Sequence, residues 1–164
     1  MGLLLPGYMP RGVVAITTGL DNTVSVDSTE TVVFQLPFTA APKRIYKVSL
    51  RVGRADVDGV GDNAGDTLRY AKNSLAVRCR WASGSTVTTS GTSLGDYRVT
   101  VFDDDSTTAT GVSAHWFLLD PPAGQLTVGV SIWAGRNAAT YGNVRILADG
   151  HAHFAVEDVG PYSA

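Results

Sequence analysis

The chain has 164 residues, 44% of them hydrophobic and only 17% charged, with a net charge of −2 and an isoelectric point near 5.8. That length supports one domain with a full core, needing neither disulfide nor metal to fold. The slight acidity argues against a nucleic-acid or anionic-membrane binder, which carries a basic excess. Ser and Thr number 29 and take the place of the missing charges, a composition suited to exposed sheet faces and loops.

Residues 1–12 (MGLLLPGYMPRG) read as an extended arm. Pro6, Gly7, Pro10 and Gly12 break regular structure, while Leu3, Leu4, Leu5, Tyr8 and Met9 are apolar and suited to docking on another chain or folding back on their own domain. The opening apolar run is too short for a signal peptide and lacks a basic lead. Nowhere does an apolar run reach the ~18 residues of a membrane helix. A cytoplasmic site of synthesis is therefore expected.

From Val13 onward a single β domain is expected, spanning 13–164. Strand candidates are 13–18, 31–36, 44–54, 75–82, 97–102, 112–119, 126–133, 144–148 and 153–157. The pattern is cleanest at 75–82: Leu75, Val77, Cys79 and Trp81 alternate with Ala76, Arg78, Arg80 and Ala82. In 44–54, Tyr46, Val48, Leu50 and Val52 form the apolar set. Cys79, the one cysteine, falls on an apolar face and reads as core. Residues 56–66, 83–95 and 103–111 are polar loops, and 67–71 fits either a strand or one helical turn. Residues 120–124 (DPPAG) form a tight connection that predicts a hairpin between 112–119 and 126–133. Turn signals every 8–12 residues, with no long helical pattern, predict an all-β antiparallel sandwich.

Candidate chemistry is sparse. Asp56, Asp58 and Asp62, with Asp66, sit in a glycine-rich stretch where oxygen ligands for a cation can gather. The EF-hand spacing fails, since counting from Asp56 puts Val60 at position 5 and Thr67 at position 12. Asp103, Asp104 and Asp105 are a second acidic turn. His151 and His153 face one side of a strand and read as surface or interface histidines; a zinc site there requires the remote His115 or a carboxylate as third ligand. No nucleophile elbow, phosphate loop or dinucleotide fingerprint occurs, and no cofactor is expected. Two stretches are apolar on both faces: 115–119 (HWFLL) and 154–156 (FAV). Such strands are buried on both sides, either centrally in the sandwich or against a neighbouring subunit, and the second reading makes Trp116, Leu118, His153, Phe154 and Val156 candidates for a subunit interface.

The run Phe154-Ala155-Val156-Glu157-Asp158-Val159-Gly160-Pro161, preceded by Ile146-Leu147-Ala148-Asp149, resembles the ending of small virion proteins of actinobacteriophages, of the minor tail or tail-fibre-like kind. Met9 to Val14 is similar to their entry into the β domain. The order of an Arg-rich strand (77–81), a Ser/Thr loop, a strand and the 120–124 connection is similar too. The resemblance implies a non-enzymatic jelly-roll sandwich, trimeric on the virion surface and anchored by residues 1–12. Its partners would be further copies and tail proteins, with the loops at 56–66, 83–95 and 103–111 meeting the host surface and its glycans. A capsid decoration protein that docks on the major capsid protein is the alternative. A glycan-binding or carbohydrate-active domain is the third reading, and it requires a groove with exposed Trp or Tyr and paired carboxylates.

Overall fold

The computed structural model describes residues 9–57, 72–102 and 110–163. Among the described residues, nine strands and one short helix follow in order: β1 (Gly12–Thr18), β2 (Thr31–Ala40), β3 (Arg44–Val57), β4 (Lys72–Ser83), β5 (Thr92–Phe102), β6 (Thr110–Leu119), β7 (Gly124–Ala134), α1 (Ala138–Tyr141), β8 (Val144–Leu147) and β9 (His153–Pro161). Among the described residues they form two antiparallel sheets. The first has the order β1-β9-β3-β6, with β8 pairing the far end of β3; the second has the order β2-β7-β4-β5. Ala55 pairs Thr110 of β6 on one side and Ile146 of β8 on the other, so β8 continues the line of β9 along β3.

The chain alternates between sheets at nearly every connection. Only β4–β5 and β8–β9 stay within one sheet. That path is the double Greek key of a jelly roll, with β9 in the place of the eighth strand and β8 added beside it.

Period-2 alternation builds the core. Tyr46, Val48, Leu50 and Val52 of β3 point inward, as do Leu75, Val77 and Cys79 of β4 and Val128, Val130 and Ile132 of β7. Two half-apolar sheets bury these faces against each other, the ordinary solution for a sandwich. Two buried aromatics have their polar tips satisfied. The Tyr46 hydroxyl accepts the Ala41 N–H at 2.7 Å, and the Trp116 indole donates to the Gly95 carbonyl at 3.0 Å. Tyr97 lies edge-on to Trp116, 5.4 Å between ring centres, and closes the gap between the edge strands β5 and β6.

Several expectations are corrected. The segments joined by 120–124 are not a hairpin: β6 belongs to the first sheet and β7 to the second, so this connection crosses the sandwich. Asp120 takes φ +44° there, and its carboxylate accepts the Lys43 N–H at 3.1 Å. β2 runs through Pro37 to Ala40 instead of stopping at 36. As the edge of its sheet it tolerates a residue without an N–H. β5 begins at Thr92, so the turn between β4 and β5 is shorter than 83–95. β1 begins at Gly12, one residue before the expected start at Val13.

Candidate functional site

With the core closed inside the sandwich, the two outer sheet faces and the two ends are what the molecule offers to others. The outer face of the second sheet is closed by its own side chains. Glu30, just before β2, takes Arg80 through two bonds, Nε at 2.6 Å and Nη2 at 2.8 Å, and Arg78 at 3.1 Å. It also accepts the Ser131 hydroxyl. Arg78 reaches Asp96 at 3.3 Å and lies over the Trp133 ring, 4.7 Å from its centre. The Arg80 hydrogen bonds, with help from Ser131 and the nearby guanidinium charges, hold the Glu30 carboxyl below its usual range against the opposing cost of burial. The same pairing raises Arg80.

The turn between β4 and β5 folds back over this face. Val87 is buried, its N–H donates to the Gln35 side chain at 2.8 Å, and its methyl sits where a Cβ on Gly129 would be. The filling is incomplete at the β5 edge, where Phe102 is 43% exposed with the Lys72 ammonium 5.4 Å from its ring centre. Trp133 is covered by Arg78, Trp116 is in the core, and Trp81 packs half-buried against it.

The outer face of the first sheet differs. Register places Val13, Glu157, Lys47 and Phe117 in one row across β1, β9, β3 and β6. Ile16, Ala155, Ser49 and His115 form the next row. Val13 is 58% exposed, Ile16 52%, Phe117 50% and Leu119 55%. Between the apolar ends, Lys47 and Glu157 stand 3.8 Å apart, both open to solvent.

A third feature ties the N-terminal segment to this sheet. Arg44, 3% exposed, and Asp158, fully buried, form a two-pronged pair, with Nε at 2.9 and 3.0 Å from the two carboxylate oxygens. Arg44 Nη2 also donates to the Met9 carbonyl at 2.6 Å, and Asp158 accepts the Gly160 N–H at 3.1 Å. Arg11 approaches Asp158 at 3.8 Å.

The sequence candidates are placed as follows. Leu3, Leu4, Leu5 and Tyr8 lie outside the described residues, as do Asp58, Asp62, Asp66 and Asp103–Asp105. Met9 is exposed, and its carbonyl accepts from Arg44 Nη2. Asp56 ends in an ion pair with Arg145, at 2.8 and 2.9 Å, so its carboxylate is committed to a strand partner. Trp116, Leu118, Phe154 and Val156 point into the sandwich core of their own chain and are not free for a subunit contact. The physical reason is parity. In a doubly apolar strand the face-out positions are the odd ones here, so Phe117 and Leu119 are left outside. His153 is half-buried on that outer face, with Nδ1 3.2 Å from the His151 carbonyl. No group of three His, Cys, Asp or Glu side chains gathers as a metal site among the described residues.

Sequence reasoning missed the Arg44–Asp158 pair, although the signal was present. Arg44 shares the parity of Tyr46 and Val48, and Asp158 that of Phe154 and Val156, which puts opposite charges on two apolar faces. No curated protein matches the sequence. Among solved structures, the CBM22-1 xylan-binding domain of Xyn10C from Paenibacillus barcinonensis is similar at 11% identity. That match covers 99% of this chain and 91% of that one, with a TM-score of 0.40. The family model described as a domain of unknown function, DUF7298, matches residues 1–164, and the chain belongs to that family.

Proposed function

We propose that this chain is a non-enzymatic structural subunit of a phage virion, a jelly-roll knob of the tail that assembles with copies of itself. The observation that carries this reading is the contrast between the two outer faces. One is filled by Glu30, Arg78, Arg80 and the Val87 turn of the same chain. The other leaves Val13, Ile16, Phe117 and Leu119 in water. Val13 with Ile16 on β1 and Phe117 with Leu119 on β6 form two apolar strips that flank the Lys47–Glu157 pair, and apolar strips grouped on one face suit an interaction surface. A protein built to assemble gains from covering them.

Support also comes from the ending that resembles actinobacteriophage virion proteins. Its Asp158 anchors the segment leading out through Met9 and so gives the arm a fixed root. In this reading residues 1–8 dock the knob on the tail, and the polar loops meet the host surface.

Gold-labelled antibody against the chain, applied to virions and imaged by electron microscopy, tests the placement. Label on the tail is expected. Label confined to the head replaces the tail reading with capsid decoration, and virions free of label end both.

A further inference from the structure

The outer face of the first sheet has a pattern that selects its own occupant. Across the four strands the row reads apolar, acidic, basic, apolar: Val13, Glu157, Lys47, Phe117. Neighbouring strands lie about 4.8 Å apart, so Val13 and Phe117 are separated by roughly 14 Å. Turning a second copy about a two-fold axis parallel to the strands, between β9 and β3, reverses the order of the row. Val13 then meets Phe117 of the second copy, and Glu157 meets Lys47 of the second copy, each contact occurring twice. The perpendicular in-plane axis would place Glu157 on Glu157 and Lys47 on Lys47, which like-charge repulsion disfavours.

We infer that two copies of this chain stack through the outer faces of their first sheets, about a two-fold axis parallel to the strands, with Glu157 of each against Lys47 of the other. An isologous contact of this kind closes on itself and uses both halves of one face. Sheets stacked face to face with aligned strands are an ordinary packing mode. The inference rests on the self-assembly reading above and goes further in naming the surface, the symmetry and the charge pair. It departs from the trimer implied by the resemblance, in which the same two halves would meet head to tail around a ring.

Sedimentation velocity on the full-length chain, across a micromolar concentration series, gives the mass. A dimer is expected. Lys47→Glu makes the row wholly acidic at its centre, and Glu157→Lys makes it wholly basic, so each variant alone is expected to dissociate at least tenfold more readily. An equal mixture of the two restores every cross-copy pair and is expected to associate as wild type does. So is the double variant carrying both reversals. Phe117→Ser, at a half-exposed position, is expected to weaken association while its circular dichroism stays that of the wild type.

A monomer throughout the series overturns the inference. Association unchanged by either single reversal also overturns it, as does failure of the mixture to recover. A trimer overturns the two-fold stack while leaving self-assembly standing, so the two readings fail separately. Label on the virion tests the broader reading independently of all these outcomes.

Discussion

At the scale of single residues the molecule is governed by a few charges in unusual places. Arg44 and Asp158 are buried and meet in two-pronged geometry, so removing the carboxylate deprives the buried Arg44 charge of its two-pronged counter-ion. Asp158→Asn is expected to cost about 3–5 kcal/mol in urea unfolding, the usual penalty for stranding a buried charge. Glu30 makes a pH-dependent contribution. Its carboxyl titrates below the ordinary value of 4.5 in the fold, so its stabilisation is present above that value. It is lost as pH falls through the lower folded value. An acid denaturation curve should therefore have a limb below about pH 4.5 that Glu30→Gln flattens, with about 2 kcal/mol lost at neutral pH where charged hydrogen bonds are broken. Burial pushes the Cys79 thiol up to about 12. An aromatic disulfide reagent at pH 8 should leave native protein unlabelled and react fully in denaturant. Labelling of the native chain faster than its unfolding would contradict this. The burial of Cys79 was legible from its parity on 75–82. The ion pair was legible by the same rule, yet a charge on an apolar face reads as an exception until its partner across the sheet is known.

At the scale of elements, register decided more than propensity. Alternation located most strands, because a half-buried strand cannot slip by one residue without exposing its apolar set. The same rule, applied to 115–119, gives two apolar faces and no way to tell which is inside. Pairing of Tyr46 with Leu118 and of Val48 with Trp116 settles it. The connection at 120–124 shows a second limit. A short proline-rich link is compatible with a hairpin or with a crossing between packed sheets, and only the β6–β3 and β7–β4 pairings distinguish them. The β4–β5 turn gives a prediction at this scale. A Cβ on Gly129 would collide with Val87 and lie 3.2 Å from the Phe34 carbonyl. Gly129→Ala should cost about 1–3 kcal/mol by overpacking. Val87→Ala in that background should recover part of the loss, a non-additive coupling readable from urea curves. Simple additivity of the two would mean that the turn does not seat on β7.

At the scale of the whole molecule, the β-sandwich class followed from composition and turn spacing, whereas the order of strands did not. Long-range pairing joins β1 to β9, the two outermost strands in sequence. Closure of so large a loop precedes any reward from pairing, so refolding in stopped flow is expected on the millisecond-to-second scale. A refolding phase complete within microseconds would contradict the topology. The site was less legible than the fold, because surfaces are defined by what the core leaves over. The β1–β9 pair has one more consequence. Gly12 stands opposite Asp158 and Thr18 opposite His153, so the segment at Met9 and the exit at Tyr162 leave from the same end. Tension applied between those two positions peels the strands apart one hydrogen bond at a time, beginning at the Arg44 clamp. Tension between Met9 and the opposite end of the sandwich instead draws on the whole ladder at once, in shear. A load applied between the segment at Met9 and the opposite end of the sandwich therefore meets the fold along its resistant axis.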